Sequence, residues 1–402
     1  MSALEHAKAA GVKAAIEKIA SLGIREYGVF SEDLAGKWKR ILGEGQHELK
    51  LAAALNNSDT RRVFLELLKL DADKVFEGMQ AAGYVLGAGE LVLYLPKEEE
   101  DLKKELESRA KTYGIRIENA FVNVREWQGH GLHHIATMAE VADAFLDSYQ
   151  PGTYLAVCQG AETGELKRIP YGTKLNEIAE LDKAKAVEIG TKLYTVSEAE
   201  ECIIDETLNT GDGVVTVIPE SSCLMQEAEK RLLISRKNGC GKCTFCREGL
   251  NQLYGHMTDI TSGKGKKEGL DMMKEIGEAM RFSCGCSVGT VGADFTLGAM
   301  EGFMSEFDAH IKKRNCPAGV CTCFMTIYID PNICEGCEEC ADVCPEECIE
   351  GKAGYIHMID DFDCTKCGKC IEACEYDAVV QTTGRVPKLP SRLVKCGKFK
   401  KR

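Results

Sequence analysis

Eight cysteines between Cys334 and Cys374 fall into two copies of one spacing. The first is Cys334-x2-Cys337-x2-Cys340-x3-Cys344-Pro345 and the second Cys364-x2-Cys367-x2-Cys370-x3-Cys374, offset by 30 residues. A [4Fe–4S] cluster needs four thiolates, and this spacing draws three from one tight loop and a fourth from the helix behind the other loop. It assigns Cys334, Cys337, Cys340 and Cys374 to one cluster, and Cys364, Cys367, Cys370 and Cys344 to a second. Zinc knuckles and disulfides do not use three thiolates at this spacing plus a fourth. Upstream, Gly239-Cys240-Gly-Lys-Cys243-Thr-Phe-Cys246-Arg-Glu-Gly249 offers three more thiolates at a helix start, where free N–H groups favour a negative cluster. The fourth ligand has two candidates, Cys284 and Cys286; a zinc site on the triplet is the alternative.

These ligands sit in a chain of 402 residues, long enough for two to four domains. A net charge of −13 argues against nucleic acid and anionic membranes as partners, with a basic end at Lys395–Arg402 as a local exception. The 21 cysteines cluster in ligand spacings rather than as a disulfide framework. No leader pattern and no long apolar run is present, so the expected setting is the reducing cytoplasm of an anaerobe.

The positioning elements are legible in part. Helical spacing marks residues 1–23 and 58–83, the latter broken near Asp71. A strand is expected at Glu90–Leu95, a charged helix at 97–113 and a strand at Ile115–Ile117, together a small α/β unit. Gly-His130-Gly-Leu-His133-His134 reads as a glycine-marked loop. Short strands at Tyr154–Val157, Lys192–Val196 and Val214–Ile218, with a helix at Lys174–Leu181, suggest a β-grasp-like domain. Helices at Met225–Ser235, Cys246–Thr261, Leu270–Met280 and Gly298–Lys313 suggest a four-helix bundle. Gly263-Lys-Gly-Lys-Lys lacks the order of a phosphate loop and reads as a solvated connection.

The run Cys240–Gly249 resembles the flavin-bearing NADH-oxidising subunit of respiratory complex I. It is closer still to the matching subunit of electron-bifurcating [FeFe]-hydrogenases, which also ends in a two-cluster ferredoxin domain. Leu55–Met79 and Ala82–Ala88 are similar to that family's core strand and helix; Gly190–Leu193 and Gly211–Val217 resemble its β-grasp (SLBB) domain. The resemblance selects Cys286, in Cys286-Ser-Val-Gly289, as fourth ligand to Cys240, Cys243 and Cys246. It also implies a further site: Cys316-Pro-Ala-Gly-Val-Cys321, with His310 and Cys223, suits tetrahedral Zn²⁺. Plain thiols, or a fourth cluster using Cys316, Cys321 and Cys323, are the alternatives. Cys348 and Cys323 read as packing residues, and Cys396 has no evident partner.

Against the family pattern, the flavin loop Gly-Arg-Gly-Gly-Ala-Gly-Phe-Pro-Thr-Gly has become Tyr27-Gly-Val-Phe-Ser-Glu-Asp-Leu-Ala-Gly-Lys-Trp38. The acidic nucleotide segment has become Asn56-Asn-Ser-Asp-Thr-Arg-Arg62, and the stretch between Ile117 and Val122 is shortened. FMN and NAD(H) binding are therefore expected to be lost. The implied organisation is α+β and multidomain. A degenerate flavin-domain remnant spans 1–118, an SLBB-like domain 119–219, the cluster-bearing bundle 220–314, and a linker with the zinc residues 315–326. A two-cluster ferredoxin domain spans 327–384 and a basic tail 385–402. The implied function is flavin-free electron transfer through three [4Fe–4S] clusters in a soluble redox complex of bifurcating type, non-catalytic alone. Implied partners are a flavin-bearing paralogue, a thioredoxin-fold [2Fe–2S] subunit and a hydrogenase or formate dehydrogenase-type catalytic subunit. The alternatives are a divergent FMN-containing NAD(P)H dehydrogenase using Gly36-Lys37 and Arg61-Arg62 for phosphate, or a structural adaptor.

Overall fold

The computed structural model describes residues 1–45, 48–160 and 162–399, which group into two compact units. The first comprises Met1–Glu220, Lys230–Tyr254 and Asp271–Phe303. The second comprises Ser221–Glu229, Gly255–Leu270 and the chain from Met304 onward.

In the first unit, α1 (Ala3–Ala10) starts at a Ser2–Glu5 capping box, followed by α2 (Val12–Ser21) and α3 (Leu34–Gly43). Next come β1 (Lys50–Ala54), α4 (Leu65–Leu86), β2 (Glu90–Leu95), α5 (Glu100–Thr112), β3 (Ile115–Asn119), β4 (Gly131–His134) and α6 (Ile135–Phe145). The strands form a parallel sheet in the order β3-β2-β1-β4. Parallel sheets are buried on both faces, and Leu51, Ala52 and Ala53 of the central strand are completely covered. Helices α4 and α6 approach so closely that a Cβ on Gly78 would overlap the Met138 carbonyl. The expected break in α4 is present at Asp71 (φ −153°, ψ 73°).

Two expectations from the sequence change. The α/β layer does not end at residue 118: β4 hydrogen-bonds to β1, and α6 packs on α4, so the layer runs to Phe145. The histidine segment is consequently a buried strand, not a loop.

A second sheet holds β5 (Gly152–Gln159), β6 (Glu162–Thr163), β7 (Lys167–Pro170), β8 (Ala184–Ile189), β9 (Lys192–Thr195) and β10 (Val214–Pro219). Its order is β6-β5-β10-β8-β9, with β7 also on β5. The helix expected at Lys174–Leu181 is only a 3-10 turn at Leu175–Glu177. Leu175, Ala179 and Leu181 all turn inward, and positions six apart lie on different faces of a helix. The α-helix of this region is α7 (Val196–Glu201), started by a Thr195–Glu198 capping box.

Five helices follow: α8 (Leu224–Asn238), α9 (Thr244–Thr261), α10 (Lys267–Ser283), α11 (Ser287–Gly302) and α12 (Met304–Ile311). The expected fourth helix is thus two, broken at Phe303 (φ −134°, ψ 34°). Within the first unit, glycines let these helices meet: Gly249 faces Met280, Gly277 faces Leu297, and Gly292 faces Leu250.

The second unit contains β11 (Thr326–Ile329), α13 (Glu339–Asp342), β12 (Ile349–Glu350), β13 (Met358–Ile359), α14 (Lys369–Glu372) and β14 (Val379–Thr382). Antiparallel pairs β11–β14 and β12–β13 build it around Ile327, Ile329, Ile356 and Val379. The 30-residue repeat is visible in the backbone: Glu338 (φ 77°) and Gly368 (φ 79°) start the two short helices from left-handed positions. The described part of the tail is not loose. Ile356 N–H donates to the Val394 carbonyl at 2.9 Å, and Cys396 N–H to the Gly354 carbonyl at 3.1 Å. Of the expected basic end, residues 400–402 lie outside the described residues. No described helix is long and apolar enough to cross a membrane.

Candidate metal centres

Five thiols of the first unit converge where two helices begin. Cys243 immediately precedes α9, with Arg247 N–H donating to its carbonyl at 2.9 Å, and Cys286 is the N-cap of α11. At α11 the Val288 N–H reaches the Cys286 sulfur, and a helix N-terminus is a favourable field for an anionic cluster. Arg125 Nη2 adds a donor to Cys243 Sγ at 3.4 Å. Cys284 hydrogen-bonds Cys246, which pushes the Cys246 thiol up and the Cys284 thiol down. Burial pushes the Cys286 thiol up, countered by Val288 N–H and the Asn57 side chain. Both Cys284 and Cys286 therefore lie with Cys240, Cys243 and Cys246, one sulfur more than a cluster uses. A Cβ on Gly289, in the first turn of α11, would run into Cys284 Sγ, so glycine there lets the thiol pack against the helix.

The second unit gathers its eight thiols across the repeat. Burial pushes the Cys340 thiol up to about 12, aided by the neighbouring Cys334, Cys337 and Cys374. Cys370 is likewise raised by burial and by Cys364, Cys367 and Cys344. A small cavity is lined by Cys344, Cys364, Cys367 and Cys370 together with Cys348. Cys337 and Cys367 are exposed, so each thiol set reaches the surface. Two cysteines read as bystanders turn out to touch these sets. Cys348 Sγ is 3.5 Å from Cys344 Sγ. Cys396, brought in by the tail, hydrogen-bonds Cys334.

Cys223, His310, Cys316 and Cys321 form a separate buried knot, their ligand atoms all within 4.8 Å of one another. Cys223 Sγ and Cys321 Sγ are 3.6 Å apart, and lie 3.4 and 3.5 Å from His310 Nε2. Bonds of about 2.3 Å to sulfur and about 2.0 Å to nitrogen give tetrahedral edges of about 3.8 and about 3.5 Å. The donor set therefore fits a tetrahedral divalent ion. His310 Nδ1 donates to the Glu306 carbonyl at 2.7 Å, which orients the ring so that Nε2 faces the sulfurs. Although burial disfavours its charged form, the Cys223 and Cys316 sulfurs raise the His310 imidazole to about 10. Hydrogen bonds from Cys223 and Cys321 hold the Cys316 thiol far below its ordinary value. Cys323 does not join: its thiol donates to the Thr261 carbonyl at 2.8 Å.

At the carboxyl ends of β1 and β4 lies a cavity of about 290 Å³, lined by Glu26, Lys37, Asn57, Trp127, His133 and Cys286 among others. Several of its polar groups pair with one another, while the buried His130 Nδ1 and His134 Nε2 have no hydrogen-bond partner. Lys37 Nζ donates to Glu26 Oε2 at 2.8 Å and to the Leu132 carbonyl at 2.6 Å. His133 Nδ1 donates to Glu26 Oε2 at 2.6 Å and receives Trp38 Nε1–H on Nε2 at 3.3 Å. Glu26 Oε1 accepts from His134 N–H at 2.8 Å and from Thr137 Oγ1 at 2.6 Å. Burial alone would raise the Glu26 carboxyl, but Lys37 and His133 hold it well below the usual carboxylate range. The start of α3 is closed as well: Asp33 Oδ2 accepts the Gly36 N–H at 2.5 Å. Arg62 pairs with Glu98 and Glu99, and Arg61 Nη1 bonds Thr163. Of the groups a phosphate would use here, Lys37, Arg62 and the Gly36 N–H are engaged by carboxylates, whereas Arg61 meets only the neutral Thr163 hydroxyl. Sequence reasoning missed this network because Glu26 and His133 are 107 positions apart.

A family model for the NADH-ubiquinone oxidoreductase-F iron–sulfur binding region matches residues 227–310. A 4Fe-4S dicluster domain model matches residues 326–375. The chain is 34% identical over 171 residues to the NADP-reducing hydrogenase subunit HndC of Solidesulfovibrio fructosivorans, covering 42% of this chain and 35% of that protein. It is 32% identical over 107 residues to the F 2 subunit of the NADH-quinone oxidoreductase of Rhizobium meliloti, covering 27% of this chain and 25% of the relative. Both matches span well under half of the relative's length. An NAD+-reducing [NiFe]-hydrogenase in the air-oxidized state shares the fold, with a TM-score of 0.66 at 19% identity, over 77% of this chain and 64% of that one. The chain thus joins a region matching the F-type iron–sulfur binding model to one matching a 4Fe-4S dicluster domain in one polypeptide, and is similar over those parts to the F-type subunits of the NADH-quinone oxidoreductases and to HndC.

Proposed function

We propose that this chain is a flavin-free electron-transfer subunit of a multisubunit redox complex, passing single electrons among three [4Fe–4S] clusters and its partners. One observation carries the reading. The thiols are gathered in sets, while Lys37, Arg62 and the Gly36 N–H, which a flavin phosphate would use, are engaged by Glu26, Glu98, Glu99 and Asp33. Cys240, Cys243, Cys246 and Cys286 hold the first cluster; Cys334, Cys337, Cys340 and Cys374 the second; Cys364, Cys367, Cys370 and Cys344 the third. The clusters supply one-electron chemistry. The protein orients them, lends N–H and guanidinium donors to their sulfurs, and exposes Cys337 and Cys367 toward partners. The two sheets serve as docking scaffold for a flavin-bearing paralogue, a [2Fe–2S] subunit and a hydrogenase-type catalytic subunit. The likeness to HndC favours a hydrogenase setting over a respiratory one. Cys223, His310, Cys316 and Cys321 hold a structural Zn²⁺.

Anaerobic purification with cofactor analysis tests this. Iron and sulfide for three four-iron clusters, one zinc and no flavin are expected; stoichiometric FMN overturns the reading. Cys286→Ala is expected to abolish the bundle cluster's EPR signal, and Cys284→Ala to retain it. The reverse result reassigns the ligand.

A further inference from the structure

The two halves of the dicluster domain share a backbone but not a charge. Position by position, Glu335, Gly336, Glu338 and Glu339 of the first loop correspond to Thr365, Lys366, Gly368 and Lys369 of the second. Carboxylates thus line one loop, where the other has two ammonium groups. The wider surroundings reduce the contrast without removing it. Around the first set lie Asp330, Glu335, Glu338, Glu339, Glu375 and Asp377. Around the second, Asp360, Asp361, Asp363, Glu346 and Glu347 are offset by Lys366 and Lys369. The net difference between residues 330–340 with 373–377 and residues 360–370 with 343–347 is three unit charges.

Lys366 is not a loose surface lysine. Its side chain is only 10% exposed, its ammonium pairs with Asp361, and it lies against Cys348. A thiol contributes in the same direction. Where the half that supplies Cys374 has Ala378, the half that supplies Cys344 has Cys348, whose sulfur is 3.5 Å from Cys344 Sγ and within hydrogen-bonding reach of Cys364. An S–H donor favours the more negative, reduced cluster. Cys396 does the same for Cys334 on the opposite side, a neutral dipole set against three charges.

We propose that the two clusters are electrostatically unequal, the one held by Cys364, Cys367, Cys370 and Cys344 having the higher reduction potential, so that an electron arriving at the Cys334 loop passes downhill to the Cys364 loop. In that step the first cluster loses one electron and the second gains it, with no other species consumed. The inference rests on both thiol sets carrying clusters, as the proposed function requires. Even at the dielectric of water, a unit charge about 10 Å away changes a reduction equilibrium about twofold. Three such charges compound to about tenfold, which is 59 mV for a one-electron couple.

The test is an EPR-monitored redox titration of the full chain at low ionic strength, where surface charge is least screened. Two midpoints about tenfold apart in reduction equilibrium are expected, narrowing as salt is added. The double variant Lys366→Glu/Lys369→Glu changes the charge around the second set by four units, one more than the difference, and should bring the upper midpoint down to or just below the lower one, which stays in place. Lys369→Arg should preserve the gap. Should the half-buried Lys366 not tolerate replacement, exposed Lys369→Glu and Glu339→Lys each shift one midpoint by a smaller step, in opposite directions. Coincident midpoints in the unmodified chain, or variants that move both midpoints equally, overturn the proposal. A chain that binds no clusters at these cysteines overturns the functional reading with it.

Discussion

The carboxyl edge of the parallel sheet and the Cys223–His310–Cys316–Cys321 knot are both small buried clusters of polar groups, but they close in different ways. At the sheet edge the buried Glu26 carboxylate is met within the chain by Lys37, His133, the His134 N–H and Thr137 together. In the knot, four donors converge and no acid is among them. A cluster of donors alone is stable only around a cation, whereas a cluster of matched charges needs nothing further. Under the proposed function, the first has closed to a flavin and the second is open to a metal ion.

The comparison can be broken most decisively at the knot. Cys316→Ser/Cys321→Ser, or prolonged chelation, should remove the zinc and unfold or loosen the second unit. Metal analysis and the melting curve are the readouts, and a structural zinc site is worth about 10 kcal/mol in small domains. Unchanged zinc content would eliminate those ligands.

Next in size is Glu26→Ala, which strands Lys37 and His133 in the interior. Removing one partner of a buried ion pair costs about 3–5 kcal/mol, measurable by denaturant titration. Glu26→Gln keeps the hydrogen bonds to His134 and Thr137 and should cost less.

A smaller effect concerns pH. Burial lowers His134 to about 4, so the folded state keeps it neutral while the unfolded chain protonates below its ordinary value of 6.5. Its contribution to stability is therefore present above that value and lost as pH falls from 6.5 toward 4. His134→Phe should flatten that limb of the stability curve relative to the unmodified chain; parallel curves would contradict it. The smallest change expected is Arg125→Ala, which removes a donor to Cys243 and should lower the bundle cluster's potential by roughly 30 mV.

What was legible in the sequence follows the same division. Cysteines that share a local spacing do lie together, and α4 with its break at Asp71 could be read directly, since apolar periodicity is itself local. The central strand was harder: Ala52-Ala53-Ala54 has little strand propensity, and it is a strand because close-packed helices leave room only for small residues. The expected end of the first layer at residue 118 failed because β4 returns to the sheet from beyond it. Cys396 seemed isolated because its neighbour Cys334 is reached only through the tail's hydrogen bonds to Gly354 and Ile356. The Glu26 network at the sheet edge was not legible, because its charges pair across distances no motif records.

The Asp33 carboxylate at the head of α3 has a consequence for how the protein is made. A helix that carries its own anion is complete as soon as it folds. Under the proposed function, the sheet unit can be synthesised and stored without waiting for a nucleotide cofactor, whatever the cell's flavin supply. Maturation then depends on the delivery of iron, sulfide and zinc alone, and the supply of those three sets the pace of assembly.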